Sequence, residues 1–299
     1  MQPRPRATVL VALLVAAAPL LAGCGRSTGA AADGKVSVVT SFYPLQYVAQ
    51  RIVGDHADVT GLTKPGVEPH DLDLPPRQAA QISGADVVLL EKGLQPAVDQ
   101  AVANDSPKRV VDAAKVVTLR ASDEGKGQDP HFWLDPTLLA LVAQKFTAAI
   151  SQADPAHKAD YRAANDKLQT DLTDLDGMFR DGVAQCRSRA LVVSHDAFNY
   201  LGERYDLTVH PIAGLSPDAE PSPRHLKQLG DLIRSDKITT VFSERLASPK
   251  LADTLASDLH VRTAVLDPIE GLTSSDSSSD YLSLMKDNLA AIEKAGGCR

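Results

Sequence analysis

From residue 36 the chain alternates short β-branched apolar runs with longer segments whose apolar residues recur at helical spacing. VSVVTSF (36–42), ADVTGLT (57–63), DVVLLEKG (86–93) and RVVDAAKVVTL (109–119) read as strands or β-prone pieces. Between them, PLQYVAQRIVG and PRQAAQISGA (76–85) suit helices. The pattern begins again after Cys186. RALVVSH (189–195), LTVHPIAG (207–214), KITTVFSE (237–244) and HVRTAVLD (260–267) read as strands, with helices over AFNYLGERYD (197–206), PRHLKQLGDLIRSD (223–236) and DYLSLMKDNLAAIEKAG (280–296). Such alternation predicts an α/β fold with mostly parallel sheets covered on both faces.

Between the two halves lies DPAHKADYRAANDKLQTDLTDLDGMFRDGVAQ (154–185), with Leu168, Leu172, Leu175, Phe179 and Val183 on one apolar stripe. Asp154 suits the N-cap and Pro155 the first helical position. A single helix from 155 to 185 would span about 46 Å at 1.5 Å per residue. Two helices broken near Gly177 are the alternative. The expected division is 36–153 for an N-terminal lobe, 154–185 for a linker helix and 186–299 for a C-terminal lobe.

The first residues have a different character. Arg4 and Arg6 precede the 14-residue apolar run VLVALLVAAAPLLA (9–22), which is shorter than the roughly 20 residues a membrane-spanning helix needs. A basic start, a short apolar core and small residues before Cys24 read as a signal peptide over 1–23. The tetrad Leu21-Ala22-Gly23-Cys24 resembles a bacterial lipobox, which implies lipidation of Cys24 and makes 24–35 a polar tether. Removing Arg4 and Arg6 from the 31 basic residues leaves 29 against 38 acidic ones, a net charge of -9. No basic stripe remains to neutralise a phosphate backbone, so nucleic acid is not an expected partner. With Cys24 assigned to lipid, Cys186 and Cys298 remain in a chain that has left the reducing cytoplasm. A disulfide between them is expected there and is worth roughly 4–5 kcal/mol in theory, although spacing alone also permits two free thiols.

Open α/β sheets hold ligands beyond the carboxyl ends of their strands. His195 directly follows the strand VVS and Asp267 follows AVL, while His70 (VEPHD) and His131 (QDPHF) sit on loops after strands of the first half. Two of these residues belong to each half, so an ion held by all four would lie in the cleft between them. Three imidazoles and a carboxylate form a coherent zinc shell. Pro69, Pro130 and Pro268 stiffen the backbone beside three of the four, and Trp133 can wall off water. Glu68, Glu220 and Glu244 are candidates to accept the second N–H of a ligating imidazole. His56, His157, His210, His225 and His260 are also available; the first two and last two read as turn or surface residues, and His210 lies in a strand that ends near the cleft, where it could support a ligand.

Taken together, VEPHDLDLPP, DPHFWLDP, VVSHDAFNYLGERYDL, IAGLSPDAEPSP, VFSERLASPKLADTLA and LDPIEGL make the chain resemble the cluster A-I (family 9) solute-binding proteins of bacterial zinc/manganese ABC importers. The resemblance runs from about residue 36 to the C-terminus. It implies two Rossmann-like α/β lobes joined by a single long backbone helix, and a metal in the cleft on His70, His131, His195 and Asp267. It also implies a monomer, tethered to the outer face of the cell membrane through Cys24, that delivers metal to an ABC permease and its ATPase. His at the third position favours Zn2+; manganese binders of the family commonly carry Glu there, and Mn2+ or iron is the alternative. Zinc members often carry a His-rich loop before the second histidine, whereas RASDEGKGQDPH contains no additional histidine.

An enzyme is not expected. Catalytic zinc keeps an open position for water, and here four protein ligands are available without an HExxH run. The absence of a GxxxxGK[ST] loop excludes the ATPase role. A surface adhesin or structural lipoprotein is the alternative from another class, and it would leave four convergent ligands without a use.

Overall fold

Residue 2 and residues 34–122, 127–273 and 279–299 are described by the structure, a computed structural model. The apolar run at 9–22, Cys24 and the tether as far as residue 33 lie outside the described residues. No helix among the described residues is long and apolar enough to cross a membrane.

The first lobe runs β1 (Val36–Thr40), α1 (Tyr43–Val53), β2 (Ala57–Gly61), α2 (Pro76–Gly84), β3 (Val87–Leu90), α3 (Pro96–Asp105) and β4 (Val110–Asp112). Its four strands lie parallel in the order β2-β1-β3-β4, with Val38 paired to Val59 on one side and to Val87 on the other. β3 is buried along its whole length, which is why VVLL is an unbroken apolar run, and β1 (VSVVT) buries its last three residues. The β-prone stretch 109–119 yields only three strand residues. Asp112 accepts the Ala114 N–H at 3.1 Å and turns the chain into a short 3-10 helix at Ala113–Lys115.

A two-residue hairpin follows, β5 (Arg120–Ala121) against β6 (Gln128–Asp129), and then α4 (Pro136–Ala153). The linking helix α5 covers Lys158–Val183 without interruption at Gly177. Pro155–His157 form a 3-10 turn ahead of it, so the α-helical rod holds 26 residues. That makes it about 39 Å long, shorter than expected from the sequence. Its stripe of Tyr161, Leu168, Leu172, Leu175, Phe179 and Val183 is buried. It packs on α1 and α4 from the first lobe and on the C-terminal helix α9 (Tyr281–Gly296).

The second lobe runs β7 (Ala190–Val193), α6 (Asn199–Tyr205), β8 (Thr208–Pro211), α7 (Pro223–Ser235), β9 (Thr240–Ser243), α8 (Lys250–Leu259), β10 (Arg262–Val265) and α9 (Tyr281–Gly296). Its sheet, in the order β8-β7-β9-β10, repeats the arrangement of the first. The Cys186–Cys298 disulfide joins the residues just after α5 to the chain end just after α9. Lys35–Arg299 form one compact unit in which the two sheets are tied by the helix.

Candidate metal centre

Four side chains from four separate loops converge between the lobes. His70 lies on the β2–α2 loop, whose course is held by Gln95 Nε2 donating to the Pro69 carbonyl at 3.1 Å. His131 follows β6 after a single proline and caps the 3-10 turn Phe132–Leu134. His195 stands two residues beyond β7. The fourth is Glu270, on the loop after β10. His131, His195 and Glu270 are buried, and His70 is half-buried at the edge of the group.

The three imidazoles present Nε2 to one carboxylate oxygen. Glu270 Oε1 lies 3.0 Å from His131, 3.3 Å from His195 and 3.5 Å from His70. All four ligand atoms fall within 4.8 Å of one another. None of the four has a partner with hydrogen-bond geometry, although each is buried. Buried polar atoms left unpaired cost about 1–3 kcal/mol each, so four aimed at one point require an explanation. A divalent cation supplies one, because each atom offers a lone pair when the imidazoles are neutral and the carboxyl is ionised. The residues present fit such an ion.

The outward nitrogens of two rings are fixed by carboxylates. His195 Nδ1 lies 3.0 Å from Glu244, and the register explains the pairing: Val192 on β7 sits opposite Val241 on β9, so residues three further along both strands also meet. His131 Nδ1 lies 2.8 Å from Asp129 Oδ1, which also accepts the His131 backbone N–H at 3.0 Å. These bonds place a proton on Nδ1 and leave Nε2 free to coordinate.

The charges respond to this crowding. Burial alone would push Glu270 up, but the imidazoles of His131, His195 and His70 hold it well below the usual carboxylate range. Burial would lower His195, yet Glu244 and Glu270 raise it to about 10. His131 is likewise raised against burial by Asp129 and Glu270. Glu68 is pushed up to about 8, by burial first and then by its neighbour Glu270.

The structure corrects the fourth position. Asp267 is not in the converging group; Glu270 is. The Asp267 carboxylate accepts the Ile269 N–H at 2.8 Å and faces Arg245 Nε at 3.2 Å. Asn288 on α9 brackets its backbone, accepting from the Asp267 N–H at 2.8 Å and donating to its carbonyl at 2.7 Å. Asp267 thus shapes the loop that delivers Glu270. Ile269, between them, is fully buried with φ +58°, a left-handed conformation rarely adopted by β-branched residues. That reversal separates the directions of the two acids in LDPIEGL.

The other candidates divide. Glu244 meets a site imidazole as expected. Glu68 accepts the backbone N–H of His70 at 3.2 Å instead of a ring N–H, and Glu220 is exposed on the β8–α7 loop, away from the role expected of it. His210 is half-buried on β8 and outside the converging group. Asp129 and Glu270 were missed by sequence reasoning. Asp129 had a local signal, an acid two residues before a candidate ligand, and Glu270 had none beyond its closeness to Asp267.

Comparison with known proteins bears on what such a centre does. The family model described as "ZnuA: Zinc-uptake complex component A periplasmic" matches residues 38–295. The chain is 33% identical over 297 residues to the high-affinity zinc uptake system protein ZnuA of Bacillus subtilis, covering 92% of this chain and 93% of that protein. Some other curated relatives are longer, and the chain spans 56% of their length. Among solved structures, the Zn(II)-bound ZnuA-like domain of Streptococcus pneumoniae AdcA is similar with a TM-score of 0.77 and 32% identity, covering 88% of this chain and 99% of that one. The laminin-binding protein Lmb of Streptococcus agalactiae, described as having adhesin and metal-transporting activity, gives a TM-score of 0.81 and 29% identity, with coverage of 87% and 99%.

Proposed function

Because the chain belongs to the ZnuA family of zinc-uptake components, we propose that it captures extracytoplasmic Zn2+ between its lobes and delivers it to a cognate ABC permease driven by an ATPase. The ligands are His70 Nε2, His131 Nε2, His195 Nε2 and Glu270. Asp129 and Glu244 hold two of the rings in the coordinating tautomer. The observation that carries this reading is the convergence of four buried, unpaired ligand atoms within 4.8 Å. Three nitrogens and one oxygen suit zinc better than manganese, which prefers an oxygen-rich shell.

Family membership makes the chain a carrier and not an enzyme. All four positions of a tetrahedral zinc site are filled by protein, so no coordination position is left to activate water. Residues 36–153 and 186–299 act as two jaws, with 154–185 as a spacer of fixed length. Nanomolar binding is worth about -12 kcal/mol, so transfer to the permease requires the site to be opened or distorted. On this reading the chain acts as a monomer held to the outer face of the membrane by lipid on Cys24. Adhesion, which is said of the S. agalactiae relative, does not compete with transport, since that relative is described as doing both.

The test is a competitive titration of metal-free protein with Zn2+, Mn2+ and Fe2+, repeated on Glu270→Ala and His195→Ala. Zinc preference that falls at least a hundredfold in both variants supports the assignment. Unchanged zinc affinity in either variant removes that residue from the shell, and a preference for manganese overturns the choice of cargo.

A further inference from the structure

The hairpin that carries Asp129 is held by the opposite lobe. Arg120 on β5 donates its backbone N–H to the Tyr200 hydroxyl at 2.8 Å, and that hydroxyl donates to the Asp129 carbonyl at 2.7 Å. Asn199, beside Tyr200 on the first turn of α6, is placed more tellingly. Its side-chain Nδ2 donates to Asp129 Oδ2 at 3.2 Å and to Asp196 Oδ1 at 2.7 Å. Asp129 is bonded through its other oxygen to the His131 ring, and Asp196 adjoins His195. Both carboxylates are buried. A primary amide offers two N–H groups from one nitrogen without charge, and two carboxylate acceptors fix which way it points.

We infer that Asn199 is a positioning residue that couples the two imidazoles of opposite lobes, acting on His131 through Asp129 and on the His195 loop through Asp196. It touches no metal. By occupying Asp129 Oδ2 it holds the carboxylate so that Oδ1 faces His131 Nδ1, which keeps the proton on Nδ1 and Nε2 directed into the site. Its bond to Asp196 fixes the same fork to the turn that carries His195. The two rings therefore reach coordinating positions together, and separating the lobes breaks the link that orients His131. A neutral donor is required here, because a cation would neutralise the carboxylate and an acid would repel it.

The inference rests on the zinc reading above, and wild-type protein in the same titration tests that reading separately. Zinc-loaded Asn199→Ala, labelled with 15N-histidine, should show the His131 Nδ1 proton resonance shifted and exchanging faster with water, while the His70 resonance stays in place. Zinc affinity should fall about tenfold, the lower end of the range for outer partners of metal ligands. In an Asp129→Asn background the same substitution should cost no more than twofold, because the residue through which it acts is already altered. Should Asn199→Ala lose cooperative melting, Asn199→Leu carries the same measurements, since it keeps a branched side chain and withdraws both donors without adding a charge. An unmoved His131 resonance, or a full tenfold loss persisting in Asp129→Asn, overturns the inference. Wild-type protein that fails to bind zinc overturns the proposed function instead.

Discussion

Trp133 of the first lobe donates its indole N–H to the carbonyl of Pro268 in the second at 2.7 Å. Each residue stands two positions from a proposed ligand, Trp133 after His131 and Pro268 before Glu270. The indole is fully buried, 5.3 Å from the His131 ring and 4.8 Å from Phe42. The bond therefore fixes the separation of two ligands that belong to different lobes.

Trp133→Phe keeps the packing and leaves the Pro268 carbonyl unpaired. It should destabilise the metal-free protein by about 1–3 kcal/mol, read from the denaturant midpoint. In the wild type, this single tryptophan should change its emission when zinc binds to His131, whose ring centroid lies 5.3 Å from the indole. Emission that stays constant through a titration showing saturation by another method would count against zinc at that ring.

Glu270 and Asp267 should separate cleanly on mutation. Glu270→Ala should reduce zinc affinity at least a hundredfold, because it removes a ligand. Asp267→Ala should lower affinity by about tenfold, as loss of an outer support does, and also lower the melting temperature of the metal-free protein. The reverse order of effects would restore Asp267 as the ligand.

The metal-free protein should lose stability as pH rises from neutral. His195 is raised to about 10 in the fold by Glu244 and Glu270, against the opposing effect of burial. An unfolded histidine titrates near 6.5, so between these values the folded state binds a proton that the unfolded chain lacks. The stabilisation from this group is complete below about pH 6.5 and disappears as pH climbs through about 10. Zinc displaces the same proton, so binding at about pH 7.5 should release protons, measured by calorimetry in buffers of different ionisation enthalpy. A melting temperature that rises across this window would contradict the assignment.

Reduction of Cys186–Cys298 should lower stability by about 2–5 kcal/mol while zinc affinity changes little. The bridge fastens the ends of α5 and α9, and the four ligands lie on other loops. Thermal melts with and without reductant, paired with zinc titration, check both halves. A large loss of affinity on reduction would show that the bridge acts on the site.

Much of the architecture was legible because parallel strands buried on both faces leave unbroken runs such as VVLL and ALVV. The long helix announced itself through its leucine stripe, yet its start was misplaced by the 3-10 turn at Pro155–His157. Helix α4 escaped notice because Asp135 and Pro136, its N-cap and first residue, lie in DPHFWLDP and read as stiffening around His131. Helices α3 and α8 are ten residues each and sit between stronger strand signals. Of the three histidines, His195 was visible at a strand end and His70 and His131 on loops that follow strands. The choice between Asp267 and Glu270 was not, because it depends on the left-handed backbone at Ile269, which has no periodic signature.

Ser122 and Gly127 close the base of the β5–β6 hairpin, with the Ser122 N–H on the Gly127 carbonyl at 3.2 Å. That rung continues the register in which Arg120 faces Asp129 and Ala121 faces Gln128. Lengthening a loop adds entropy only slowly, about 0.6 kcal/mol per doubling. A fluorescent domain spliced between those two residues would thus sit one short strand from His131, making this hairpin a natural graft point for a reporter of free zinc.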